Sequence, residues 1–247
     1  MLSGKTAFIT GSNRGIGQAI LKKFIDNGAN IICAVRKINP EFKEYIKINF
    51  KNLKNNFKIL EFDLSDESKM SEAIQSLYKD KIVLDILVNN AGVAGGSLLE
   101  MTSMKNLKKI FEINFFSQIR LTQLLLRLLK KSEKASIINI GSVSGINGDR
   151  GNITYGSSKA ALMFATKVMA NELSTYNIRV NSVAPSATDT DMLNQMEKNA
   201  KEKLLKDSFL TKPISVDVIA EKVLFLASEE SQHLNGQIIK IDGKEKL

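Results

Sequence analysis

Short apolar runs alternate with longer amphipathic segments from one end of the chain to the other. The runs predict strands at Thr6–Thr10, Ile31–Val35, Lys58–Glu61, Ile86–Asn89, Ser136–Ile140, Arg179–Val183 and Ile238–Ile241. Their density of β-branched and aliphatic residues suits strands covered on both faces, and the segments between them supply the crossovers a parallel sheet needs. Ile16, Ala19, Ile20 and Phe24 recur at helical spacing between the first two strands, with Gly28 placed as the C-cap. The pattern predicts an α/β fold, a doubly wound seven-stranded parallel sheet. No repeat, low-complexity tract or linker divides it, so residues 1–247 form one expected domain.

Three further regions add detail. Phe42, Tyr45, Ile46, Phe50, Leu53 and Phe57 fall at roughly helical intervals, which predicts an amphipathic helix packed on the sheet. The stretches Ser103–Lys131 and Tyr155–Tyr176 are apolar on more than one face. Such helices are expected to meet a subunit partner as well as their own sheet.

Composition narrows the function classes. The net charge of +9 raises nucleic acid, an anionic membrane or an acidic partner as possibilities. The lysines are scattered among acids, as in Glu197–Lys206, with no basic block or aromatic-interleaved stripe, so no nucleic-acid and no membrane partner is expected. One cysteine, Cys33 in an apolar run, excludes an internal disulfide and suits a reducing, cytoplasmic setting. The single histidine, His233, lies among polar residues and is expected at the surface rather than in a Ser-His-Asp site. No apolar stretch is long enough to span a membrane, and the N-terminus does not read as a signal peptide. No metal site is expected.

Candidate chemistry begins at Thr10-Gly11-Ser12-Asn13-Arg14-Gly15-Ile16-Gly17, which follows the first strand and opens the first helix. This is the Rossmann-fold layout in which backbone N–H groups and a helix N-terminus receive a pyrophosphate. Gly11 permits the tight turn, Gly15 the close backbone approach and Gly17 the helix-to-strand packing. An NAD-preferring site places an acid at the end of the second strand. This chain has Val35, Arg36 and Lys37 there, with Arg14 as a second cation, so NADP(H) is expected over NAD(H). Arg36 as a plain solvated loop residue is the alternative.

Tyr155 and Lys159 stand one helical turn apart, and Ser142 ends an apolar strand just upstream. Residues at i and i+4 share a helix face. A unit charge about 4 Å away at an effective dielectric near 20 is worth roughly 4 kcal/mol, which would draw a phenol from about 10 toward 7. Ser142 can present a hydroxyl to the oxygen on which charge develops as a carbonyl accepts hydride. Read singly, Ser142 is equally a turn serine, and Tyr155 and Lys159 a buried tyrosine beside a surface lysine. Their joint occurrence with a dinucleotide loop indicates hydride transfer.

With these residues in hand the chain resembles the short-chain dehydrogenase/reductase family over essentially its whole length. The landmarks are the glycine loop, Asp63-Leu64, Asn89-Asn90-Ala91-Gly92, Asn114, Ser142, Tyr155, Lys159, Asn181, and Pro185 with Thr190. The resemblance implies Asp63 and Leu64 at the adenine, Asn90 near a ribose, and Thr188 and Thr190 at the carboxamide. It also implies Lys159 on the nicotinamide ribose, Asn114 positioning a water that resupplies the tyrosine proton, and a homotetramer built on the two apolar helices. Within the family it is most similar to 3-oxoacyl-acyl-carrier-protein reductases of fatty acid biosynthesis, through Val88–Gly92, Asn139–Gly145 and Arg179–Pro185. It departs from them at Ser186 and Lys244, where they usually carry glycine, and at Glu133 and Asn171, where they carry carrier-docking cations. Lys130, Lys131 and Lys134 are the nearby candidates to compensate.

A lid is expected over about 186–210. Its Met192, Leu193, Met196, Leu204 and Leu205 either line an apolar pocket or pack the lid onto the sheet. Gly95 and Gly96 leave room for substrate. The leading expectation is an NADPH-dependent carbonyl reductase with Tyr155 as general acid, acting on a small molecule such as a 3-oxoacyl thioester. A reductase of a sugar or nucleotide-sugar in surface glycan synthesis is the alternative, and a nucleotide-sensing protein that has lost catalysis is the reading from another class.

Overall fold

The structure, a computed structural model, describes residues 1–50, 57–194, 201, 205 and 212–243. Its strands are β1 Thr6–Thr10, β2 Asn30–Val35, β3 Phe57–Glu61, β4 Ile86–Asn89, β5 Ala135–Ile140, β6 Ile178–Pro185 and β7 Ile238–Ile241. They form one parallel sheet in the order β3-β2-β1-β4-β5-β6-β7. All seven expected strands are present: three have the expected bounds, and the other four each extend by one residue or a few.

The helices are α1 Gly15–Asp26, α2 Pro40–Asn49, α3 Glu67–Lys79, α4 Met104–Phe111, α5 Ser117–Leu129, α6 Ser144–Asn147, α7 Ile153–Leu173, α8 Asp191–Asn194 and α9 Val216–Ala227. One face of the sheet buries Ile20, Phe24, Phe42, Ile219 and Val223 from α1, α2 and α9. The other buries Met70, Ile74, Leu121, Leu125 and Leu173 from α3, α5 and α7. Full burial of a side chain such as Phe24 contributes on the order of 2–3 kcal/mol.

Two helical expectations are corrected. The aromatic run after Phe42 is not a single helix face, because α2 stops at Asn49 and Phe57 opens β3, paired with Ile31. An aromatic chain joins helix to strand instead: Phe42 stacks on Tyr45, Tyr45 meets Phe50 edge-on, and Phe50 stacks on Phe57. Leu53 lies outside the described residues. The stretch Ser103–Lys131 is not one continuous α-helix either, since a π-helical segment, Glu112–Phe116, separates α4 from α5. It turns Asn114 into the interior, where its side chain accepts from Val93 N at 2.9 Å and donates to Val93 O at 3.0 Å.

The topology locates the site. β2 lies on one side of β1 and β4 on the other, so successive connections reverse direction there. In open parallel sheets, ligands bind at the carboxyl ends of the strands flanking that reversal. The glycine loop, the Asn90–Gly92 turn and Ser142 follow β1, β4 and β5 respectively.

Candidate active site

Gly11 and Gly15 both adopt positive φ, +64° and +53°, a region that side chains disfavour. A Cβ on Gly17 would stand 2.2 Å from Gly11 O, so α1 starts against the turn itself. The Thr10 hydroxyl accepts from Asn90 N and Ala91 N, both at 2.9 Å, which ties the loop to the end of β4. Asn90 Nδ2 completes the tie by donating to Thr10 O at 2.8 Å and Gly11 O at 3.2 Å. Ser12 is buried against the Cys33 thiol, whose burial pushes it up to about 12. Asn13 and Ile16 are half-buried, and Arg14 is exposed. The first turn of α1 has no side-chain cap and no acidic residue. Its N–H groups therefore suit an anion, and the glycines leave the close approach a pyrophosphate needs.

Beyond β2, Arg36 and Lys37 are exposed. Burial alone would raise the Asp63 carboxyl, but donors from Ser65 and the charges of Arg36 and Lys109 outweigh it and hold the carboxyl below its ordinary value. Leu64 packs at the edge of the core beside it.

The chemical groups converge on the other side of the crevice. Asn114 Nδ2 donates to Ser158 Oγ at 3.0 Å, and Ser158 Oγ donates to Tyr155 O at 2.7 Å. Lys159 Nζ is buried, donates to Ile140 O at 2.7 Å and lies 5.9 Å from the Tyr155 ring centroid. A Cβ on Gly92 would touch both Asn114 Oδ1 and Lys159 Nζ, at 3.1 Å and 3.4 Å. Ser142 Oγ accepts from Ser144 N at 3.2 Å and is hydrogen-bonded to the Tyr155 phenol. Ser142 is thus a turn serine and a partner of the tyrosine at once.

The expected electrostatics are corrected here. Burial raises the Tyr155 phenol above its ordinary value of 10, and the Ser142 hydrogen bond offsets this only in part. Lys159 turns its ammonium to a backbone carbonyl, and burial lowers its own pKa to about 8. The phenol is therefore held protonated at neutral pH, the form an acid requires.

Thr188 and Thr190 stand at the start of the expected lid. Thr188 Oγ1 donates to Ser186 O at 2.9 Å, Thr190 would meet a Cβ on Gly15 at 3.4 Å, and Arg14 pairs with Asp191 at 3.5 Å. Leu193 is buried and Leu205 half-buried. Met196, Leu204 and the Met192 side chain lie outside what is described. A cavity of about 800 Å³ opens between Ser97–Glu100 and Ser144–Ile153, and none of Ser142, Tyr155 or Lys159 lines it.

Sequence reasoning missed two features. Asn89 Nδ2 donates to Asn139 Oδ1 at 2.8 Å, and Asn139 Nδ2 to Thr166 Oγ1 at 2.8 Å, in a buried network that fixes β4 and β5 to α7. Asparagines near the ends of two neighbouring strands, Asn89 last in β4 and Asn139 next to last in β5, were the available signal. Glu61 was also missed: it closes β3, and its Oε2 accepts from Ile38 N at 2.8 Å, which brings a carboxylate to the turn that had read as purely basic.

A parallel doubly wound sheet with a glycine loop at its reversal, and a serine, tyrosine and lysine across the crevice, defines a dinucleotide-dependent oxidoreductase. Residues 5–201 match the short chain dehydrogenase family, and the chain belongs to it. It is 32% identical over 242 residues to the 3-oxoacyl-[acyl-carrier-protein] reductase FabG of Thermotoga maritima, covering 98% of each chain. The protein of the same name from Chlamydia muridarum is 33% identical over 246 residues, again with 98% of each covered. Among solved structures, a putative gluconate dehydrogenase from Agrobacterium tumefaciens superposes with a TM-score of 0.89 at 27% identity, covering 98% of this chain and 96% of that one.

Proposed function

We propose that the protein is an NADPH-dependent reductase that converts a ketone to a secondary alcohol, with 3-oxoacyl thioesters as the leading substrate class. The observation that carries this is the meeting of Ser142, Tyr155, Lys159 and Asn114 across the crevice from the glycine loop. When bound, the reduced nicotinamide supplies the hydride. Gly11–Gly17 would hold the pyrophosphate, Asp63 and Leu64 the adenine, Asn90 and Lys159 the ribose side, and Thr188 with Thr190 the carboxamide. Tyr155 Oη gives its proton to the substrate oxygen, and Ser142 Oγ donates a hydrogen bond to the same oxygen as charge develops. Lys159 and Asn114 line the route by which the phenol recovers its proton.

Arg36 and Arg14 support NADP(H) over NAD(H), and the names of the curated relatives support the acyl class. A sugar or sugar-acid substrate is the second reading, favoured by the solved structure named above and by Glu133 and Asn171 in place of carrier-docking cations. A panel of acetoacetyl thioester and keto-sugars with NADPH and NADH separates them. An inert thioester at millimolar concentration rejects the first.

A homotetramer is part of the proposal. Phe116, Phe164 and Val168 expose 53%, 70% and 39% of their surface on the apolar helices, apolar area that a subunit partner would cover. Residues 186–210 would serve as the lid. Light scattering tests the assembly, and a strictly monomeric species contradicts it.

A further inference from the structure

Two residues separate the last strand-bonded position of β2 from the next anchored amide. Val35 is fixed on the sheet, paired with Glu61, and its carbonyl accepts from Phe62 N at 3.0 Å. Ile38 is fixed by the Glu61 side chain, whose Oε2 accepts its N–H at 2.8 Å. Asn39 then caps α2, its side chain accepting from Phe42 N at 2.9 Å. Arg36 and Lys37 are left as an exposed two-cation bracket held at both ends, and neither forms a salt bridge among the described residues. Glu61 reaches the turn from the end of β3, where it is paired with Val35.

We infer that Glu61 is a positioning residue for cofactor choice, fastening the Arg36-Lys37 bracket where it can grip a 2′-phosphate on the adenosine ribose. The inference rests on the NADP(H) reading above. Its carboxylate acts through the hydrogen bond and not through its charge, because a second negative charge beside a phosphate opposes binding. A turn fastened in advance loses less freedom when the ligand arrives, and the loss of one such hydrogen bond corresponds to about a fivefold change in affinity. The Glu61→Gln amide keeps an acceptor oxygen and removes the opposing charge; Glu61→Ala removes both.

Calorimetric titration with adenosine 2′,5′-bisphosphate and with 5′-AMP tests this without turnover, alongside hydrogen exchange at the Ile38 amide. The wild type is expected to prefer the bisphosphate. Glu61→Ala is expected to weaken bisphosphate binding about fivefold, leave 5′-AMP within about twofold and speed Ile38 exchange. Glu61→Gln is expected to bind the bisphosphate at least as tightly as wild type. If wild type prefers the bisphosphate and Glu61→Ala keeps that preference, or loses both ligands equally, the role of Glu61 is overturned while the NADP(H) reading stands. If wild type does not distinguish the ligands, that reading falls and the inference with it.

Discussion

Replacing Lys159 with methionine gives a stability difference whose pH dependence follows from where the ammonium sits. Burial lowers its pKa from the ordinary 10.5 to about 8, and its only hydrogen-bond partner among the described residues is Ile140 O. At about 1.4 kcal/mol per pKa unit, the folded state disfavours the charged form by about 3 kcal/mol relative to the unfolded chain. Between pH 8 and 10.5 the unfolded chain binds more protons than the folded one at this group, so wild-type stability rises with pH there. Below pH 8 both states are protonated and the full penalty remains. Urea unfolding of wild type and Lys159→Met at pH 7, 8, 9 and 10, at one fixed protein concentration, isolates the group because other titrations cancel in the difference. Wild type should gain on the variant at up to about 1.4 kcal/mol per pH unit above pH 8, and not below it. A difference that stays flat from pH 7 to 10 would refute the reasoning, because it would give Lys159 the same pKa folded and unfolded.

Other substitutions probe the loop, the bracket and the π-helical segment. Gly17→Ala places a Cβ 2.2 Å from Gly11 O, and the resulting displacement, about 1–3 kcal/mol, outweighs the helix-propensity gain of about 1 kcal/mol. Thermal melts should show a destabilised protein, and calorimetry at least a tenfold loss of 5′-AMP affinity. Arg36→Ala should weaken adenosine 2′,5′-bisphosphate about tenfold and leave 5′-AMP unchanged, since only the former carries the phosphate the guanidinium meets; equal affinity for both ligands in wild type would contradict this. Asn114→Ala leaves Val93 N and Val93 O without their Asn114 partner and takes one of Ser158 Oγ's two bonds, so urea unfolding should register a loss of about 2–4 kcal/mol.

The sheet was legible because parallel strands buried on both faces leave short, dense apolar runs bounded by polar turns, and all seven runs became strands. The candidate site was legible as far as its spacing is local: Tyr155 and Lys159 share one helix, and the glycine loop is contiguous. What the sequence hid depends on contacts between distant segments. Glu61 meets Ile38 from the neighbouring strand, and the π-helical segment Glu112–Phe116 carries Asn114 to a loop some twenty residues away. The tyrosine's acidity was misjudged for the same reason. Spacing places Lys159 beside Tyr155, but it does not reveal that Ile140 O takes the ammonium and that burial acts on both groups. The aromatic run after Phe42 misled because Phe57 suits a strand as well as a helix face.

The central claim is that the Tyr155 phenol delivers the proton to a substrate carbonyl. Tyr155→Phe keeps the ring and removes only the hydroxyl, so single-turnover reduction with saturating NADPH, paired with a fluorescence titration of NADPH binding, tests it most directly. Turnover should fall by about 10²–10⁴-fold while NADPH affinity stays within about twofold. Turnover near the wild-type rate in that variant would contradict the account.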